Sequence, residues 1–141
     1  MSTAEDPLAP SPDERCPCLS GEVFGACCGR FLVGTSHAST AVQLMRSRYS
    51  AFATGAGEYL LATWHPSTRP MSLEIDPSLR WYRLDIVRTE RGGPVDTTGV
   101  VEFTARYRAD GERGELHETS RFTREGGRWY YVEGDVRSSW V

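Results

Sequence analysis

Four cysteines carry the clearest chemistry in this chain. Cys16 and Cys18 stand one residue apart, an eight-residue loop follows, and Cys27 and Cys28 are adjacent. Thiolates are the best protein donors to zinc, which takes four ligands tetrahedrally in structural sites. Pro17 preshapes the turn that lets Cys16 and Cys18 grip one side of an ion. Ser20-Gly21 and Gly25 supply the bends that bring Cys27 and Cys28 to the other. A unit of about fifteen residues buries no core of its own, so the metal must supply most of its folding free energy, on the order of 10–16 kcal/mol in comparable peptides. Four protein ligands close the site and leave no place for a metal-bound water. Iron competes with zinc, because four thiolates suit it too. Disulfide or redox use is the third reading; the familiar redox pair has two intervening residues, and a Cys27-Cys28 bridge is strained.

Elsewhere the reactive side chains are scattered. His65 stands between Trp64 and Pro66, His37 lies in a small-residue stretch, and His117 and Glu118 share one alternating run. There is no His-x3-His, no Gly-x-Ser-x-Gly and no phosphate-cradling glycine loop.

Composition narrows the class. Hydrophobic residues make up 39% and charged residues 25%, the balance of a globular chain rather than a disordered one. A net charge of −3 argues against a protein dominated by nucleic-acid electrostatics. No stretch approaches the ~20 apolar residues of a membrane span. Residues 1–14 are rich in Pro, Ser and acid and lack the basic-then-apolar order of a signal peptide. The expectation is a cytoplasmic protein, in a reducing compartment where spaced thiols bind metal or do redox chemistry.

The elements that position these residues follow from periodicity. Residues 1–14 are expected to be a flexible tail, 15–33 the cysteine module and 34–141 an α+β domain. Ser39 or Thr40 caps a helix over 41–54, in which Val42, Met45, Tyr49 and Phe52 fall on one face with Arg46 and Arg48 flanking it. Gly55-Ala56-Gly57 stops it, and a shorter helix runs from Glu58 to Trp64. From Leu79 the period becomes two. Runs at 81–89, 99–108, 115–124 and 128–133, separated by glycine-bearing turns, predict an antiparallel meander with one buried face. Helices ahead of a twisted four-stranded meander imply an α+β roll, a cup closed by the helices.

Strand phase predicts what points into the cup. With Tyr107 facing Leu116, Ala105 faces Glu118 and Phe103 faces Ser120, which sets the Glu118 carboxylate among aromatics. Arg46 or Arg48 is its expected partner. A two-residue Gly126-Gly127 turn places Phe122 opposite Tyr131 and Ser120 opposite Glu133, adding a second inward acid. The pocket candidates are therefore Arg46, Arg48, Tyr49, Trp64, His65, Phe103, Glu118 and Ser120. Glu118 reads either as half of a buried ion pair or as a pocket acid for acid/base chemistry.

The cysteine stretch, Cys16-Pro17-Cys18-x-Ser20-Gly21-x5-Cys27-Cys28, resembles the SEC-C motif, named for the tail of the SecA export ATPase. There the motif binds zinc and contacts an export chaperone and the ribosome. This chain departs from it at Leu19, where glycine is usual, at Cys28, where the ATPase has histidine, and in lacking the surrounding lysines. Downstream, Leu44-Met45-Arg46-Ser47-Arg48-Tyr49-Ser50-Ala51-Phe52, Trp64-His65-Pro66, Val101-Glu102-Phe103, Leu116-His117-Glu118 and Trp129-Tyr130-Tyr131 resemble the YchJ family. That family is similar to the NTF2-like superfamily in its main domain, so the resemblance implies an NTF2-like cone behind a zinc knuckle. Three functions are carried forward. One is an interaction module whose knuckle docks a protein, chaperone or ribosomal partner, with an exposed apolar face around Val23, Phe24 and Phe31. The second is a small-molecule binder or acid/base enzyme using the cup, and the third a metal- or redox-responsive protein.

Overall fold

Residue 40 starts the helix on which both halves of the molecule rest. The computed structural model describes residues 10–140, with side chains as far as Arg137; most of the N-terminal tail thus lies outside the described residues. The Thr40 hydroxyl accepts from the Gln43 N–H, and the Gln43 side chain accepts in turn from the Ser39 N–H. Gly55, at φ 81°, ends the helix in the left-handed conformation and returns its N–H to Ala51. The helices are α1 (Cys28–Leu32), α2 (Ala41–Thr54) and α3 (Gly57–Ala62).

The strands β1 (Arg80–Arg91), β2 (Thr98–Ala109), β3 (Glu112–Glu125) and β4 (Arg128–Trp140) form one antiparallel sheet in the order β1-β2-β3-β4. The expected α+β meander is present, with longer strands. Asp110-Gly111 and Gly126-Gly127, all at positive φ, are two-residue hairpin turns. Helix α2 lies across one face. Ala41, Leu44, Met45 and Tyr49 from the helix join Leu84, Val101, Phe103, Ala105, Phe122 and Trp129 in the core. The opposite face is a charged ladder: Glu102 joins Arg88 and His117, each at 2.7 Å, and Arg121 reaches Glu133.

Two register expectations are corrected. The tight Asp110-Gly111 turn pairs Ala109 with Glu112, so Phe103 faces Glu118 and Val101 faces Ser120. This is a slip of two, which keeps every side chain on its predicted face. A bulge between Arg121 and Phe122 moves Gly134, not Glu133, opposite Ser120. Glu133 turns outward to Arg121, so the second inward acid does not exist. A bulge between Trp81 and Arg83 turns Trp81 inward against Tyr49 and Tyr107, and leaves Tyr82 exposed beneath Arg108.

Candidate functional site

Two clusters of polar side chains lie on either side of α2. The first is the cysteine clasp. Residues 11–14, assigned by sequence to the tail, hydrogen-bond to it through Phe24 N–H to Glu14 O and Gly25 N–H to Pro12 O. The Cys16 carbonyl accepts from the Leu19 N–H, closing a tight turn in which Leu19 takes φ 64°. That left-handed geometry is why glycine suits this position. A short helical turn at Phe24–Ala26 then delivers Cys27 and the start of α1.

All four sulfurs lie within 4.8 Å of one another, with Cys18–Cys27 at 3.7 Å and Cys27–Cys28 at 3.9 Å. A tetrahedral zinc with ~2.3 Å bonds needs sulfurs ~3.8 Å apart, so the residues fit a metal ion. Cys16, Cys18 and Cys28 are buried. Hydroxyls support the sulfurs, Ser20 at 3.2 Å from Cys27 and Ser50 of α2 at 3.7 Å from Cys16. Hydrogen bonds from Cys16 and Cys28 hold the Cys18 thiol far below its ordinary range, whereas burial pushes Cys27 up to about 11. Cys28 is raised as well, through its hydrogen bond to Cys16. Full ligation must therefore expel protons that the metal-free cluster holds.

The second cluster is the cup between α2 and the sheet. It has two lobes, of about 150 and 120 Å³, that share Met45, Phe52, Phe103 and Glu118. Arg48, Trp64, Ser120 and Tyr131 complete the larger lobe; Tyr49, Trp81, Ala105 and Leu116 complete the smaller. Glu118 Oε2 accepts from the Ser120 hydroxyl at 2.6 Å and the Tyr131 hydroxyl at 3.0 Å. Its side chain lies over Gly134, where an added Cβ would sit 2.1 Å from Oε2. Burial first, then the Glu118 charge, raises the Tyr131 pKa and keeps the phenol a donor. Burial likewise raises Tyr49.

Arg48 is 4% exposed. Its Nη1 donates to Leu60 O at 2.8 Å and Thr63 Oγ1 at 2.7 Å, and its guanidinium lies over the rings of Tyr131 and Trp64, 4.6 and 5.2 Å from their centroids. Burial brings its pKa down to about 10, countered by Tyr131 and Glu118, so it stays charged at neutral pH. No carboxylate among the described residues lies within ion-pairing distance of it. The expected direct Arg–Glu118 pair is therefore absent, because backbone and hydroxyl acceptors hold the guanidinium while Glu118 turns to Ser120 and Tyr131.

Six of the eight predicted pocket residues line the cup: Arg48, Tyr49, Trp64, Phe103, Glu118 and Ser120. Arg46 does not; its Nη1 donates to Cys18 O at 2.8 Å, on the clasp side of α2. His65 does not either. It bonds Ser67 through Nδ1, and its Nε2 sits 3.0 Å from Glu125, near enough for an ion pair when protonated but not aligned for a hydrogen bond. Sequence reasoning missed Tyr131 and Gly134 as site residues. Strand phase had placed Tyr131 inward, and a lone glycine inside a strand signals close approach.

A larger groove, about 330 Å³, runs between α1, α3 and Trp129, but its His37, Glu58 and Arg128 are exposed. On the clasp, Phe24 and Phe31 are buried in the core rather than displayed; Leu19, Val23 and Val33 are the exposed apolar side chains there. No helix among the described residues is long and apolar enough to cross a membrane.

Comparison with known proteins agrees with this architecture. Residues 40–134 match the model of the YchJ middle NTF2-like domain, and residues 14–30 match the SEC-C motif. A UPF0225 protein of Chromobacterium violaceum is 55% identical over 125 residues, covering 86% of this chain and 92% of that protein. A UPF0225 protein of Streptomyces coelicolor is 51% identical, covering 88% and 97%. Among solved structures, a SEC-C motif containing protein from Rhodopseudomonas palustris superposes with a TM-score of 0.75 at 34% identity, covering 85% of this chain and 96% of that one. A second, from Psychrobacter arcticus, has the same fold at a TM-score of 0.72 and 24% identity, covering 86% and 82%. The chain thus belongs to the UPF0225 family, with a SEC-C motif ahead of a YchJ-type NTF2-like domain.

Proposed function

We propose that the protein is a cytoplasmic binder of a small molecule, which it holds in the cup, and that the clasp is a structural zinc site that steadies the cup's helix. The observation that carries this reading is the Glu118 carboxylate. One oxygen is fixed by Ser120 and Tyr131, while the other makes no hydrogen bond to the described residues in an open, aromatic-lined space. Such a group accepts a hydrogen bond from a ligand, or a proton in acid/base chemistry. Bound zinc would supply folding free energy and no open coordination position. Four free cysteines suit a reducing compartment. Docking of a protein, chaperone or ribosomal partner on the clasp has weaker support, since Phe24 and Phe31, two of the three side chains expected on its exposed apolar face, are buried.

The test is a ¹⁵N-correlation spectrum of the metal-loaded chain titrated with mixtures of small polar metabolites. Shifts confined to Trp64, Phe103, Ser120 and Tyr131 are expected, and Glu118→Gln should remove them while the protein stays folded. A cup silent to every mixture, or a Glu118→Gln protein that simply melts, returns Glu118 to a structural role. Metal analysis of protein purified without chelators should find one zinc per chain; bound iron, or no metal, overturns the zinc assignment.

A further inference from the structure

We infer that the cup's ligand is a small organic acid, its carboxylate paired with Arg48 and an adjacent hydroxyl or amino group donating to Glu118. This rests on the cup being a ligand site and adds the charge and class of its occupant. Arginine is almost never fully buried unless it is paired, and an uncompensated buried charge is costly. Arg48 is 4% exposed, yet only its Nη1 is hydrogen-bonded, and to two neutral oxygens. Nε and Nη2 make no hydrogen bond to the described residues. The planar fork matches a carboxylate better than any other small acceptor. The Trp64 ring, on which the Arg48 guanidinium lies, forms part of the same wall. The unused N–H groups of the Arg48 guanidinium and one Glu118 carboxylate oxygen without a donor therefore meet at one lobe.

Charge and size narrow the class. A bare carboxylate on Arg48 would place its negative charge near Glu118 with nothing between them. A hydroxyl or amino group beside it turns that repulsion into a hydrogen bond to Glu118. The lobe, about 150 Å³, has the room of roughly five waters of liquid. That suits a two- to four-carbon hydroxy or amino acid.

The experiment titrates the full, metal-loaded chain with lactate, its neutral isostere lactamide, propanoate and inorganic phosphate, following the Trp64 indole resonance. Lactate should shift it saturably. Propanoate should bind several-fold more weakly, and lactamide about thirtyfold more weakly or worse, as expected for losing one partner of a buried charge pair. Arg48→Met should abolish the lactate response; if that variant fails to fold, Arg48→Lys should fold and weaken lactate selectively. Lactamide binding as tightly as lactate overturns the acid while leaving the cup a ligand site. Phosphate matching lactate reduces the site to a general anion site and overturns the class. A resonance unmoved by all four probes also overturns the inference, and the broader mixtures then decide whether the cup binds anything.

Discussion

The clasp and the cup flank the same helix and are built on opposite plans. The clasp takes four like side chains from one short run of chain, and its sulfurs and supporting hydroxyls answer one another within a shared shell. The cup gathers unlike groups from α2, the segment after α3, β3 and β4, and leaves several of their hydrogen-bonding positions open. A closed set holds a fold together; an open set has room for something else. Burial separates the two less well, since Cys18 and Arg48 are both almost wholly covered.

Breaking the clasp should give the largest effect. Cys28→Ser, or chelation at neutral pH, should lose the metal and with it on the order of 10 kcal/mol of local folding free energy. Hydrogen exchange should then show amides of residues 14–32 losing protection while those of β2 and β3 keep theirs. Simultaneous loss in both regions would mean that clasp and cup unfold as one unit. Because Cys27 and Cys28 hold their protons tightly without metal, metal affinity should fall as pH falls, measurable by competition with a chromophoric chelator at two pH values.

The cup should respond next. Gly134→Ala drives a methyl into the Glu118 carboxylate. It should cost about 1–3 kcal/mol in a denaturant melt and weaken ligand binding, with the metal retained. A smaller effect of opposite sign belongs to the clasp. Leu19→Gly relieves left-handed strain at a half-exposed side chain. It should raise the stability of the metal-loaded protein by a few tenths to about 1 kcal/mol, after the added freedom of the unfolded chain is subtracted. The smallest change is expected on the outer ladder, where Arg88 and then His117 hold the Glu102 carboxyl below its usual range. Its contribution is present above the unfolded carboxylate pKa and lost as pH falls through the lower folded one. Glu102→Gln should therefore slightly flatten the acid limb of the stability–pH curve and leave both sites untouched.

The contrast also explains what could be read from the sequence. The clasp was legible because its geometry is local: ligands at short spacing, with bends between them, leave one arrangement. The meander and the inward faces of Phe103, Glu118, Ser120 and Tyr131 were legible because side-chain phase depends only on odd and even. Partnership across strands was not, because it depends on turn length and bulges. The tight turn at Asp110-Gly111 exchanged Ala105 for Phe103 opposite Glu118, and one extra residue near Arg121 exchanged Glu133 for Gly134 opposite Ser120. Arg46 and Arg48 were equivalent on the helical stripe. Only the packing of the clasp on one side of α2 sends Arg46 to Cys18 and Arg48 into the cup.

Helix α2 has a further consequence for how such a chain can be cut or recombined. Between residues 33 and 40 the sequence offers an inviting seam, a small-residue linker ahead of a well-capped helix. Yet Ser50 leans on Cys16 and Arg46 on Cys18, from the same two turns that present Arg48 to the cup. A breakpoint at that seam would strip one wall from a helix shaped for two. A foreign knuckle grafted there would have to bring its own acceptor for Arg46 and its own cover for Ser50. The chain punctuates itself as two parts, and the helix makes them one heritable unit.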